Sequence, residues 1–212
     1  MLKHFLFVIA ISFGISNLAF AQDQSQLLTS ETKTSGYYNT TEFNISRGFR
    51  DMNNNWMVGL STINGYQFNQ HISAGLGIGI DKPVYNNGYD DVLSNSPIYL
   101  PVFSDVRIFF GKGNTQPYFE QAIGYSFCIY RPNYNSSEEY FKNIGGIMLN
   151  PSFGIKTKIN SELALNISFG YRFQEETIKN FPNYGYDYGY YYPNNKFTFT
   201  SHLLTLKTGL TF

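Results

Sequence analysis

Between Leu163 and Gln174 the chain alternates without a break. Leu163, Leu165, Ile167, Phe169, Tyr171 and Phe173 are large and apolar or aromatic, whereas Ala164, Asn166, Ser168, Gly170, Arg172 and Gln174 are small or polar. Successive side chains of a strand point to opposite faces, so this is the pattern of a two-faced β-strand. A helix would mix the two sets on every face.

The alternation recurs along the chain. Ile72–Asp81 sets Ile72, Ala74, Leu76, Ile78 and Ile80 against Ser73, Gly75, Gly77, Gly79 and Asp81. Tyr118–Tyr130 sets Phe119, Ile123, Tyr125, Phe127 and Ile129, interrupted by Gln121, against Glu120, Ala122, Gly124, Ser126 and Cys128. In Ile147–Ile159 the large residues Ile147, Leu149, Pro151, Phe153, Ile155 and Ile159 oppose Asn150, Ser152, Gly154, Lys156 and Lys158. Ile98–Phe110 puts Leu100, Val102, Val106 and Ile108 opposite Asp105 and Arg107. Leu204–Phe212 puts Leu204, Leu206, Leu210 and Phe212 opposite Thr205, Lys207, Gly209 and Thr211. Trp56–Tyr66 keeps Trp56, Val58, Leu60 and Tyr66 in phase, and Tyr37–Phe49 opposes Phe43 and Ile45 to Glu42, Asn44 and Ser46. These are eight expected strands of about 10–13 residues, longer than the roughly 5–6 usual in soluble proteins and close to the 9–11 of tilted membrane-crossing strands.

Two closed barrels fit this pattern. A soluble barrel turns its large face inward around a cavity. An outer-membrane barrel turns that face to lipid and fills its lumen with the small polar one. The small face decides between them. It carries Gly75, Gly77, Gly79, Ala122, Gly124, Gly154, Gly170 and Gly209, a poor choice for a water-facing strand surface and a good one for a narrow interior. It also carries Glu42, Asp105, Arg107, Glu120, Lys156, Arg172 and Lys207, expected to pair as a lumenal ion network because an unpaired buried charge is expensive. The expected fold is an all-β, eight-stranded antiparallel transmembrane β-barrel, with a soluble secreted ligand-binding barrel as the alternative.

Gap lengths give an orientation. Gln67–Gln70, Gly111–Gln116 and Asn160–Glu162 are short, whereas Lys82–Pro97, Arg131–Gly145 and Glu175–Ser201 are long, with Arg50–Asn55 a short exception among the latter. Short periplasmic turns and longer outer loops are the rule in bacterial barrels, so both termini are expected to be periplasmic. Trp56, Tyr66, Tyr99 and Tyr130 fall at strand ends, where aromatic rings sit at the lipid–water boundary.

Composition narrows the function classes. Lys+Arg and Asp+Glu both number 15, which leaves no basic excess for a nucleic-acid partner. Charged residues are 14% of the chain and aromatics 18%. The single Cys, Cys128, closes no intramolecular disulfide and makes no multi-Cys metal site; it is expected to be an inert lumenal residue. Met1–Ala21 has Lys3, the apolar run Phe5–Ile15 and a small-x-small Ala19-Phe20-Ala21 end, the layout of a secretory signal peptide. The run is too short to anchor in a bilayer. Gln22–Ser35 reads as a flexible periplasmic lead-in, leaving 36–212 as the barrel.

The last strand, Leu204-Thr205-Leu206-Lys207-Thr208-Gly209-Leu210-Thr211-Phe212, resembles the assembly signal read by the barrel assembly machinery, with Leu206, Leu210 and Phe212 as its apolar positions. Over Gly36–Phe212 the chain resembles the small outer-membrane barrels of the OmpA-transmembrane, OmpX and OmpW type and the porin-family barrels common in Bacteroidetes. The segments Ile63-Asn64-Gly65-Tyr66-Gln67-Phe68, Leu149–Lys156 and Leu163–Arg172 carry that likeness. It implies architecture more than activity, since such families serve structural, adhesive and transport roles. No peptidoglycan-binding domain is expected after the last strand.

Candidate chemistry is sparse. His71 lies at a short turn and His202 in the last strand. The neighbouring Ser201 and His202 invite comparison with lipid A deacylase barrels, but adjacent strand residues face opposite sides. Asp105 and Glu120 fit lumenal ion pairs better than an acid–base couple. Asp90-Asp91 and Glu138-Glu139 read as solvated loop charge. No enzyme, cofactor or metal is expected. The expected partners are the outer-membrane bilayer and the assembly machinery, with a glycan or protein at the outer loops. Tyr184, Tyr186, Tyr188, Tyr190, Tyr191 and Tyr192 form a surface aromatic loop suited to such contacts. The expected function is an integral outer-membrane protein of structural or adhesive role, with a small-solute or hydrophobic-compound transporter as the alternative.

Overall fold

The computed structural model describes residues 35–48, 56–84, 96–130, 141–180 and 196–212. The expected signal peptide lies outside them, as do nearly all of the lead-in, Asp90-Asp91, Glu138-Glu139 and the tyrosines of 184–192.

Eight strands form one closed antiparallel barrel: β1 (Gly36–Gly48), β2 (Trp56–Gln67), β3 (Ile72–Val84), β4 (Ile98–Phe109), β5 (Thr115–Tyr130), β6 (Phe141–Lys158), β7 (Ala164–Asn180) and β8 (Lys196–Thr211). Each strand pairs with its sequence neighbour, and β8 pairs with β1 to leave no free edge. Followed from partner to partner, the register runs Gly36, Gln67, Ser73, Arg107, Glu120, Ser152, Gly170 and Thr205. It returns to β1 at Ser46, ten residues farther along. With strands about 4.7 Å apart and about 3.3 Å of rise per residue, that stagger tilts the strands by roughly 41°.

The short connections lie at one end and are built from local polar contacts. Asn69 Oδ1 accepts from the backbone N–H of His71 at 2.8 Å and of Ile72 at 3.0 Å. Asn160 Oδ1 does the same for Glu162 at 2.9 Å and Leu163 at 2.7 Å. In the β4–β5 turn Gly111 and Gly113 take φ of 80° and 127°, which L side chains adopt only with strain. Both chain-terminal strand ends, Gly36 and Thr211, lie at this same end.

The expected alternation is followed by the exposure pattern on every strand. Leu76, Leu60, Phe153, Ile167, Phe169 and Leu206 point outward and are exposed, whereas Glu42, Asp81, Asp105, Arg107, Glu120, Asn166 and Arg172 are buried inside. An apolar exterior around a polar interior is the inverse of a water-soluble barrel.

Three expectations are corrected. The last strands are longer than the alternation marked: β6 starts at Phe141, β7 reaches Asn180 and β8 starts at Lys196, so all three run into segments read as loops. Glu175–Thr177 is polar at every position, and on β8 the large residues stand at odd positions (Phe197, Phe199) before they stand at even ones (Leu204, Leu206), so no unbroken period of two marks these ends although the ladder continues, as in Thr177 opposite Thr198. Tyr99 is not at the outer lipid–water boundary; it faces inward and is 2% exposed, because it shares the parity of Asp105 and Arg107. The interior is also not purely small and polar, since Ile63, Phe103, Phe109, Tyr118 and Met148 are buried in it.

Glycine makes room for those residues. Phe103 is flanked in register by Gly77 on β3 and Gly124 on β5; its ring occupies the space that a side chain at Gly77 would need, and its Cβ and the Val102 carbonyl crowd the space at Gly124. Tyr118 lies against Gly154, Asp81 and Asn44 against Gly59, and Glu42 against Gly209. The inner glycines are therefore the complement of the bulky inner residues, a fit of side-chain volumes within a narrow barrel.

Candidate functional site

The barrel interior holds the chemistry-bearing residues. Arg107, projecting inward from β4, spans the lumen: its Nη2 lies 2.7 Å from Glu42 Oε1 on β1, and its Nε 2.8 Å from Asp105 Oδ1 on its own strand. The same guanidinium lies 4.0 Å from Glu120 Oε2 on β5. Lys207, from β8, reaches 2.6 Å to Glu120 Oε1. All five side chains are almost wholly buried, with at most 8% exposure. Four strands are thus tied together by one connected set of charges. A buried guanidinium with a single partner would be costly; several carboxylates on its donors offset the desolvation.

A second pair lies farther toward the long-loop end. Arg172 Nη2 is 2.6 Å from Asp81 Oδ2 and donates to Gln174 Oε1 at 2.9 Å. Asp81 was not among the expected network residues, although it ends the small face of the Ile72–Asp81 alternation. Its parity was the available signal. Lys156 sits at the short-turn end, where its Nζ lies 5.2 Å from the centre of the Phe109 ring in a cation–π contact. Arg107 likewise lies over Tyr118, 5.6 Å from the ring centre.

Between these polar groups sits a small apolar cluster of Ile63, Phe103, Ala122 and Met148, with Tyr38 packed against it. At the short-turn mouth Tyr38, Gln67, Ser73, Arg107, Phe109 and Lys156 close around a dimple with no cavity volume to hold a ligand. The seam where β8 meets β1 is closed inside by hydroxyl pairs, Thr40 with Thr211 at 2.7 Å and Ser46 with Thr205 at 2.8 Å. The seam also carries a backbone bond from Phe212 N–H to the Asn39 carbonyl at 2.8 Å.

The remaining candidates do not converge. His71 is exposed at its turn, with Nδ1 3.1 Å from the Phe109 carbonyl. His202 faces outward and is bonded through Nδ1 to the Tyr171 hydroxyl, while Ser201 has the opposite parity. Cys128 is half-buried, with Sγ 3.6 Å from the Tyr130 carbonyl. Leu206, Leu210 and Phe212 all point outward on β8 and at its end, and are exposed.

No family model and no curated protein matches the sequence. Solved structures do. The chain is similar to the outer membrane protein OprG from Pseudomonas aeruginosa at 13% identity and a TM-score of 0.53, covering 84% of this chain and 97% of that one. Neisserial surface protein A matches at 9% identity and a TM-score of 0.53, with 84% and 97% covered. The outer membrane protein AlkL, solved by solid-state NMR in DMPC lipid bilayers, matches at 10% identity and a TM-score of 0.53, with 90% and 95% covered. At these identities the likeness is one of fold. Together with the inverted exposure pattern, it makes this chain an eight-stranded β-barrel of the small outer-membrane type, with lipid against its apolar exterior.

Proposed function

We propose that this protein is a non-conducting outer-membrane barrel of structural or adhesive role, which holds its long connections outward on a rigid, plugged cylinder. The observation that carries this reading is the Arg107 cluster. It joins β1 and β5 through the middle of the lumen, with Phe103 and Ile63 packed alongside. Ions or solutes moving down the axis would have to displace buried, charge-assisted bonds, each stronger than a neutral hydrogen bond. The opposite parity of Ser201 and His202 supports a role without catalysis.

In this reading Met1–Ala21 directs export and 22–35 leads into the barrel. The end bearing the short turns and both termini faces the periplasm. Leu206, Leu210 and Phe212 are what the barrel assembly machinery reads. The tyrosines at 184, 186, 188, 190, 191 and 192 meet a glycan or protein outside the cell. Single-channel recording of the refolded protein in a planar bilayer tests the closed lumen. No steady conductance is expected. Steady openings in the wild-type chain would favour the transporter reading instead.

A further inference from the structure

Toward the long-loop end the outer face carries cations on one side of the barrel. Arg47 on β1 and Lys82 on β3 share the outward parity of Ile45 and Ile80, and Arg47 is exposed. Trp56 on β2 stands between them, outward and 38% exposed, as the register partner of Arg47. On the other flank Arg47 is paired with Leu204 of β8, where His202 is the next outward residue. With strands tilted by roughly 41°, each step to the next strand raises the level by about 3 Å, and each residue along a strand changes it by about 2.5 Å. Lys82 pairs with Val58, two residues back from Trp56, so the climb over two strands is nearly cancelled. Arg47, Trp56, Lys82 and His202 thus lie within about 3 Å of one level.

That level is the upper edge of the apolar belt. Tyr37, 91% exposed, is ten residues from Arg47 on β1, and the exposed Ile72 is ten residues from Lys82 on β3. Ten residues of tilted strand span about 25 Å of height, the thickness of the apolar band on such barrels. On β4, β5 and β6 the outward residues at the same level are Leu100, Phe127 and Ile147, none of them charged. Glu175 of β7 is the outward carboxylate of this level among the described residues, and it lies beyond His202, two strands from Arg47. The Arg47 guanidinium is held along the barrel wall, its carbon 5.1 Å from the centre of the Trp56 ring in a cation–π contact.

We infer that Arg47, Trp56 and Lys82 bind the phosphorylated sugar headgroup of an outer-leaflet glycolipid, whose acyl chains lie against Leu60 and Ile80 below them. The class follows from the parts. Two cations stand about 12 Å apart along the sheet, two strands and two residues from each other, and guanidinium and ammonium both recognise phosphate. At the edge of the hydrocarbon an anion gains more from them than it would in water. The indole between them offers a flat face to the C–H groups of a sugar ring. The exposed Leu60 and Ile80 continue downward as a surface for acyl chains. A glycerophospholipid brings phosphate without a sugar ring, and a free anion brings no chain. The inference rests on the reading that turns the long connections outward.

Titration of the refolded protein in neutral detergent micelles tests the site, read by Trp56 emission and by native mass spectrometry of the bound lipid. Bisphosphorylated lipid A should bind more tightly, by roughly tenfold or more, than the same lipid with its phosphates removed. Phosphatidylglycerol should bind like the dephosphorylated lipid, and inorganic phosphate not at all. Arg47→Gln with Lys82→Gln should abolish the preference for phosphate while keeping the boiling-dependent gel mobility of a folded barrel. Lys112→Gln with Lys158→Gln, the same loss of charge among exposed residues at the short-turn end, should leave it intact. Equal binding of the two forms of lipid A, a preference that survives the Arg47/Lys82 change, or one lost with Lys112/Lys158 would overturn the site. Phosphatidylglycerol or inorganic phosphate binding as tightly as lipid A would overturn the glycolipid as occupant. Should the Arg47/Lys82 variant fail to fold, salt gives a second reading on the wild-type chain. Its affinity for the phosphorylated lipid should fall as NaCl rises, and a preference indifferent to salt would refute the contact. Micelles have no sides, so failure here strikes the site and leaves the orientation of the barrel standing.

Discussion

The ring of Phe103 rests on Gly77, its register partner across the β3–β4 ladder, and fills the volume that a side chain there would need. On the other strand Gly124, also a register partner of Phe103, lies against the Val102 carbonyl and the Phe103 Cβ, so neither neighbour has room for a side chain. Gly77→Leu should therefore destabilise the barrel by overpacking, by about 1–3 kcal/mol. Adding Phe103→Ala should recover part of that loss, since the two positions share one space and their effects are not additive. Urea unfolding in vesicles, followed by the fluorescence of the single tryptophan, Trp56, measures both.

Arg107 is the hub of the buried charges, so the cost of its removal lies in what it leaves behind. Arg107→Met should strand the carboxylates of Glu42 and Asp105, which lie 2.7 and 2.8 Å from it, and cost about 3–5 kcal/mol. Replacing all three together, with Glu42→Gln and Asp105→Asn added, should cost less than the single change, because no unpaired charge remains. The same unfolding measurement compares the two proteins. A triple variant less stable than Arg107→Met would show that the charges themselves, not their pairing, hold the lumen.

How far the chain can be read without coordinates depends on parity. Wherever one face meets lipid and the other the lumen, a one-residue shift exchanges every side chain, so Leu163–Gln174 and Ile72–Asp81 state their own orientation. The same parity puts Glu42, Asp105, Arg107, Glu120, Arg172 and Lys207 inside. Parity does not reveal partners. Arg172 meets Asp81 on β3, and Lys156 meets the Phe109 ring, because the ten-residue stagger decides which inward residues share a level. The period also fails toward the long-loop end. Glu175, Glu176 and Thr177 carry the β7 ladder with no alternation, and on β8 the large residues change from odd positions at Phe197 and Phe199 to even ones from Leu204 on. Tyr99 was misplaced for a related reason: aromatic rings suit both a lipid–water boundary and a filled lumen, and only its phase with Asp105 separates the two.

The turns at the short end depend on single side chains. Asn160 accepts from the N–H groups of Glu162 and Leu163, which the ladder leaves open at the β6–β7 reversal. Asn160→Ala should cost about 1–2 kcal/mol through these two bonds, and Asn160→Asp, which keeps the accepting oxygen, much less. Asn69→Ala should behave in the same way at the β2–β3 turn. Denaturation midpoints of the three variants decide this.

Depth in the bilayer separates two otherwise similar leucines. Leu206 lies on β8 between Ile45 of β1 and Phe169 of β7, all of them outward, and is 53% exposed. Leu165 is also outward, but it stands one residue inside the start of β7, beside the short turn and level with Thr157. An arginine at Leu206 has hydrocarbon on every side. At Leu165 the same side chain can reach the headgroups, because a long charged chain extends toward water when the boundary is near. Leu206→Arg should therefore cost about 2–4 kcal/mol and Leu165→Arg about 0–1 kcal/mol. Unfolding free energies in vesicles of one lipid composition make the comparison. Equal costs at the two sites would mean that the polar inside and apolar outside do not reflect a bilayer of finite thickness around this barrel.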